Sequence, residues 1–130
     1  MKKVILVSIC MVTLFLCTGL NDISAQTTWS AKVYVDNSNC SCGEITSSIV
    51  EWEIRRISDN QLISNGQEPL TDDPQTIEGD ENIVTDTHYR ICVRVKFFAG
   101  SINPCCSGTK CEEVDGQELI DGVTLNVTMY

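Results

Sequence analysis

The sequence predicts an all-β protein, a single antiparallel Greek-key β-sandwich stabilised by disulfides, behind an N-terminal signal peptide. Three observations carry that expectation. Apolar side chains recur at every second position in several short runs, the period of a half-buried strand. Six cysteines, an even number, remain once the leader is set aside. The leader itself, MKKVILVSICMVTLFLCTGLNDISAQ, has a basic head, a short apolar middle and the small-residue exit Ile23-Ser24-Ala25.

Residues 1–25 are therefore expected to be a cleaved secretory signal, and 26–130 the folded domain. The apolar run from Val4 to Cys17 is too short to cross a bilayer comfortably, and no second long apolar segment follows it. Lipid attachment would require a small residue before Cys10 or Cys17, and Ile9 and Leu16 stand there instead. The domain of about 105 residues suits one hydrophobic core. The whole chain has 9 basic and 18 acidic side chains, net −9; without Lys2, Lys3 and Asp22 the net charge is −10. Such a surface repels phosphate backbones and anionic lipid, so neither nucleic acid nor insertion of the mature chain into a membrane is expected. The simplest account of the charge is solubility after export.

Along the domain, Trp29–Asp36 alternates Trp29, Ala31, Val33 and Val35 with polar residues. Ser48–Ile57 alternates Val50, Trp52 and Ile54 with Glu51, Glu53 and Arg55. Turn residues around Asn60 then lead into Leu62-Ile63-Ser64, a hairpin expected to end at Asn65-Gly66. The acidic segment 67–86 gives only short strands, around Thr76-Ile77 and Asn82–Val84. Tyr89–Phe97 is the strongest strand, with Tyr89, Ile91, Val93, Val95 and Phe97 on one face and Arg90, Cys92, Arg94 and Lys96 on the other. Gly122–Tyr130 closes the chain with Val123, Leu125, Val127 and Met129 in phase. No stretch shows a useful helical period.

Two family resemblances attach to these residues. Asp86–Cys92, DTHYRIC, with Trp52, resembles the strand of immunoglobulin-like domains that carries an acid, a tyrosine and a core cysteine. That family places the tyrosine two residues before the cysteine. Here the offset is three, which puts Tyr89 and Cys92 on opposite faces. The layout from VYVD through IVEWEIRRISDNQLISNG to HYRICVRV is similar to transthyretin-like or carboxypeptidase-regulatory-like sandwiches. That likeness implies a Greek key of short strands, including a hairpin and a later strand opened by tyrosine. Neither family has a binding motif that maps onto this chain.

The chemistry is read from cysteines, acids and one histidine. Cys40, Cys42, Cys92, Cys105, Cys106 and Cys111 are expected to form structural disulfides. Their spacing misses zinc pairs, and His88 stands alone. Adjacent Cys105 and Cys106 should take different partners, since a bond between neighbours strains the peptide. The expectation is Cys40 and Cys42 with two of Cys92, Cys105 and Cys106, and Cys111 closing a short local loop. Cys92, on the polar face, would be reached by a loop folding over it, Asp36–Ser47 or Ala99–Leu119. Asp72-Asp73 and Glu78–Glu81 lack the EF-hand spacing and read as a solvated loop. Glu51 and Glu53 share a strand face, but Arg55 and Arg90 offer cross-strand ion pairs in place of glycoside chemistry.

No catalytic residue, cofactor or metal is assigned. The chain is read as a bacterial secreted or periplasmic, non-catalytic binding, adhesion or structural module. Its partner is an unknown protein or glycan, contacted through the cysteine-bearing loops, with self-assembly through edge strands as a further possibility. The alternatives are a secreted hydrolase inhibitor and a thiolate metal-binding or redox protein.

Overall fold

The computed structural model describes residues 28–130, so the expected signal peptide and Cys10 and Cys17 lie outside the described residues. Among the described residues, seven strands form two sheets and there is one short helix. The strands are β1 (Trp29–Asp36), β2 (Ser47–Arg56), β3 (Leu62–Pro69), β4 (Gln75–Gly79), β5 (His88–Phe98), β6 (Cys106–Asp115) and β7 (Val123–Thr128), and the helix, α1 (Gly116–Asp121), lies before β7. One sheet has the order β4-β1-β7 and the other β3-β2-β5-β6.

The period-two patterns do what they should. Ala31 and Val33 of β1, Val50 and Ile54 of β2, and Ile91, Val93 and Val95 of β5 are completely buried, as are Leu125 and Val127 of β7. Trp52, Val35 and Val123 from the expected inner faces are only partly buried. Trp52 sits edge-on to Trp29, ring centroids 6.3 Å apart, and joins the two sheets. Its Nε1 is buried and has no hydrogen-bond partner among the described residues. Each deeply buried aliphatic side chain contributes about 1.5–3 kcal/mol of hydrophobic stabilisation.

Five details differ from the sequence expectation. First, the sandwich is not antiparallel throughout: β1 and β7 pair in parallel from Ala31↔Val123 to Asp36↔Thr128. Parallel neighbours need a long crossover, and here almost the whole domain lies between them. Second, β3 continues through Asn65-Gly66 to Pro69. Gly66 faces Trp52 across β2/β3, where a Cβ would come within 2.5 Å of the indole, so the glycine serves close approach and not a turn. Third, Asn82–Val84 is not a strand. The Val84 N–H instead donates to the buried Tyr89 hydroxyl at 3.0 Å, pinning the segment that enters β5.

Fourth, the expected loop Ala99–Leu119 is mostly ordered structure. Its strand β6 lies at the sheet edge, and the inward positions Gly108, Lys110 and Glu112 between Cys106 and Val114 have no apolar alternation to betray it. Fifth, α1 exists although no helical period announces it. Six residues are too few for one, but Asp115 and Glu118 make a capping box that was legible: the Asp115 carboxylate accepts from Glu118 N at 2.8 Å and Glu118 accepts from Asp115 N at 3.0 Å.

The two ends of the sandwich are closed differently. Beyond β1, the loop 37–46 is bonded to the start of β6 by Cys40–Cys106 and Cys42–Cys105. Nearby, Ser107 and Tyr130 exchange two backbone hydrogen bonds of 3.1 Å, and the Thr128 backbone packs on Gly108, tying the end of β7 to β6. At the other end, the Glu81 carboxylate accepts from Trp29 Nε1 at 2.6 Å and from Ser64 Oγ at 2.7 Å, linking β1 of one sheet to β3 of the other.

Candidate binding face

The outer face of the four-stranded sheet is built row by row from the register. Cross-strand pairing places Asn65, Glu53, Cys92 and Cys111 in one row and Gln67, Glu51, Arg94 and Thr109 in the next. These are the outward partners of the buried alternation. Their alignment is a consequence of register, which single-strand patterns do not encode. Together the rows line an open groove of about 600 Å³. The Cys92–Cys111 disulfide crosses directly between β5 and β6 and forms part of its floor.

The face is polar and mostly charge-compensated. Lys96 Nζ donates to Glu51 Oε1 at 2.7 Å, and Arg55 Nε donates to Glu53 Oε1 at 2.6 Å. Farther along, Arg90 Nη2 donates to Glu113 at 2.5 Å. The hydrogen bond from Arg55 holds the Glu53 carboxyl below the ordinary glutamate range and, reciprocally, raises Arg55. Arg94 Nε donates to Thr109 Oγ1 at 3.2 Å. The expected cross-strand partners were Arg55 and Arg90. In fact Arg55 pairs along its own strand, Arg90 pairs with β6, and Lys96 takes the cross-strand role toward Glu51, because it is the diagonal neighbour that reaches.

All six expected cysteines are paired. Cys40 and Cys42 do take two of the three expected partners, Cys106 and Cys105, and the neighbours Cys105 and Cys106 go separate ways. Cys111 closes its local loop with Cys92, across 19 residues. No loop folds over Cys92 as expected; the adjacent strand supplies the partner, because residue 111 is in register with residue 92. Tyr89 is buried while Cys92 points outward, which is the opposition the three-residue offset required, and no disulfide crosses the core from Cys92.

Other candidates disperse. Asp73 Oδ1 accepts from Val35 N at 3.2 Å, and Glu81 serves the inter-sheet bridge. Among the described residues no group of three or more His, Cys, Asp or Glu side chains is arranged to hold a metal ion. His88 opens β5, exposed, opposite Asp115 in register. Of the two expected contact loops, 37–46 is an exposed loop, and only 99–105 of the second remains one, carrying Ile102 at 94% exposure.

Among the described residues, no helix is long and apolar enough to cross a membrane. Three disulfides point to an oxidising compartment. Comparison with protein-family models, with characterised proteins and with solved structures gives no match.

Proposed function

We propose that the protein is an exported, non-catalytic binding module that holds a glycan in the groove on its four-stranded sheet. The observation that carries the reading is the groove itself: about 600 Å³, on a rigid sheet, with amide, carboxylate, hydroxyl and guanidinium groups aligned in two rows. Planar groups such as Asn65, Gln67 and Glu53 donate or accept two hydrogen bonds side by side, a match for neighbouring sugar hydroxyls. Fixed strands and a cross-linked floor lower the ordering cost of binding.

The same reading takes residues 1–25 as a secretory signal cleaved after Ala25, and the protein as bacterial and secreted or periplasmic. The basic head, the short apolar run and the disulfides support export. It also takes the sandwich as a Greek key. In support, the β2-β3 and β5-β6 hairpins lie side by side in one sheet while β4 crosses to the other. With all six cysteines of the folded region bonded, the thiolate metal or redox alternative has no free thiol among the described residues to use.

A glycan array probed with the mature protein, followed by calorimetry on any hit, tests the reading. Asn65→Ala with Gln67→Ala should weaken the hit about tenfold, the equivalent of one or two lost hydrogen bonds. A blank array, or a hit indifferent to the double substitution, sinks it.

One observation favours a second reading, an inhibitor of secreted hydrolases. The Ile102 loop is bare at its tip and pinned at its base by Cys42–Cys105 and by the hydrogen bond from Gly100 N to Thr46 Oγ1, 2.9 Å. Rigid, apolar-tipped loops are what such inhibitors present. Inhibition of an elastase, chymotrypsin, trypsin and subtilisin panel that Ile102→Asp abolishes would support it; no inhibition of any panel member would discard it.

A further inference from the structure

We infer that the groove takes a saccharide bearing a single carboxylate, which Arg94 holds. This rests on the glycan reading above and names the ligand more closely. Seven charged side chains belong to the two groove rows and the rows on either side: Glu51, Glu53, Arg55, Arg90, Arg94, Lys96 and Glu113. Six cancel in pairs, Lys96 with Glu51, Arg55 with Glu53 and Arg90 with Glu113. Arg94 forms no ion pair among the described residues, and its one hydrogen bond leaves from Nε to the Thr109 hydroxyl.

That geometry has a chemical meaning. With Nε engaged, the two terminal amino groups of the guanidinium keep a parallel pair of N–H donors whose spacing matches the two oxygens of a carboxylate. Thr109 fixes the plane of the fork before any ligand arrives, so less side-chain entropy is lost on binding. Asn65 and Gln67 lie on β3, two strands across from Arg94, within the same groove. A sugar whose carboxylate meets Arg94 would therefore lay its hydroxyls toward the amides.

The count of charges fixes the count on the ligand. One uncompensated cation calls for one anion. A polyuronate would bring a row of carboxylates over Glu51 and Glu53 and against a chain of net charge −9. At physiological salt, screening becomes effective only beyond about 8 Å, so it does not relieve contacts within the groove. An acidic sugar set among neutral ones avoids that repulsion.

Calorimetry decides it with four probes in two matched pairs: glucuronic-acid-branched xylotetraose against xylotetraose, and sialyllactose against lactose. Sulfated lactose serves as a tetrahedral anion. In at least one pair the acidic member should bind about tenfold or more tighter than its neutral parent. Arg94→Met should erase the difference within the pair, and Arg94→Lys should restore part of it. Equal affinities within both pairs, or a stronger response to sulfate than to carboxylate, overturns the inference. If those neutral sugars still bind in an Asn65- and Gln67-dependent way, the glycan reading survives that failure. If no probe binds and the array is also blank, both fall. Arg94 is exposed and should be replaceable without unfolding. Should Arg94→Met nevertheless fail to fold, the difference within each pair for the unmodified protein decides alone.

Discussion

The two ends of this sandwich are fastened by different chemistry. After β1, two covalent bridges, Cys40–Cys106 and Cys42–Cys105, bind the loop 37–46 to β6. Where β1 begins, a single carboxylate, Glu81, spans the sheets through Trp29 and Ser64. The first fastening responds to reductant and is indifferent to mild acid; the second behaves the opposite way. Burial by itself would raise the Glu81 pKa, but the hydrogen bonds from Ser64 and Trp29 outweigh it and hold the carboxyl below the ordinary glutamate value. A covalent clamp at one end and a titratable one at the other means that either end can be loosened separately.

The largest expected effect comes from removing the covalent end altogether. Replacing Cys40, Cys42, Cys105 and Cys106 with alanine opens a loop of 66 residues, for which chain entropy predicts a loss of about 4 kcal/mol in denaturant unfolding. A loss below about 1 kcal/mol would mean that the stapled end contributes little and that the contrast between the ends is empty. Next comes the bond inside one sheet. Cys92→Ala with Cys111→Ala opens only 19 residues and should cost about 3 kcal/mol by the same relation.

At the titratable end, Glu81→Ala should cost about 2 kcal/mol at neutral pH, because it leaves the Trp29 indole N–H without its acceptor. The sign of the pH effect follows from the lowered pKa. The stability that Glu81 contributes is complete above the ordinary glutamate pKa and is lost as pH falls through the lower, folded-state value. Denaturation curves between neutral pH and about pH 3 should therefore be flatter in Glu81→Gln than in the native chain. Parallel curves would show that the acid sensitivity arises elsewhere.

The smallest effect sharpens the comparison most. Cys42→Ala with Cys105→Ala leaves Cys40–Cys106 to close nearly the same loop, 66 residues against 63, so the second bridge removes little further chain entropy. Unfolding free energy should fall by less than about 1 kcal/mol. The loss should appear instead as faster amide hydrogen exchange in the loop around Ile102.

Much of the sandwich was legible because burial on one face imposes a period. β1, β2, β5 and β7 show it, and Tyr89 and Cys92 even reveal by their odd spacing that they face apart. β6 was hidden because an edge strand can turn Gly108, Lys110 and Glu112 inward, where Lys110 and Glu112 pair at 2.9 Å and no apolar alternation is needed. The capping box of Asp115 and Glu118 was in plain view but opens a helix too short to search for by period. The groove was out of reach for another reason. Glu53, Cys92 and Cys111 come from three strands, and only the register makes them one row.

The paired bridges also set how the molecule would behave under tension. A pull on the two ends of the folded region runs from Cys40 through a sulfur bridge to Cys106 and bypasses everything between. Fully extended, the bypassed 66 residues would measure roughly 220 Å, and that length stays locked away until a sulfur–sulfur bond breaks. The interval from 41 to 105 contains β2, β3 and β5, and so most of the sheet that floors the groove. A load on the chain ends would act on β1, β6 and β7, while β2, β3 and β5 stay covalently enclosed.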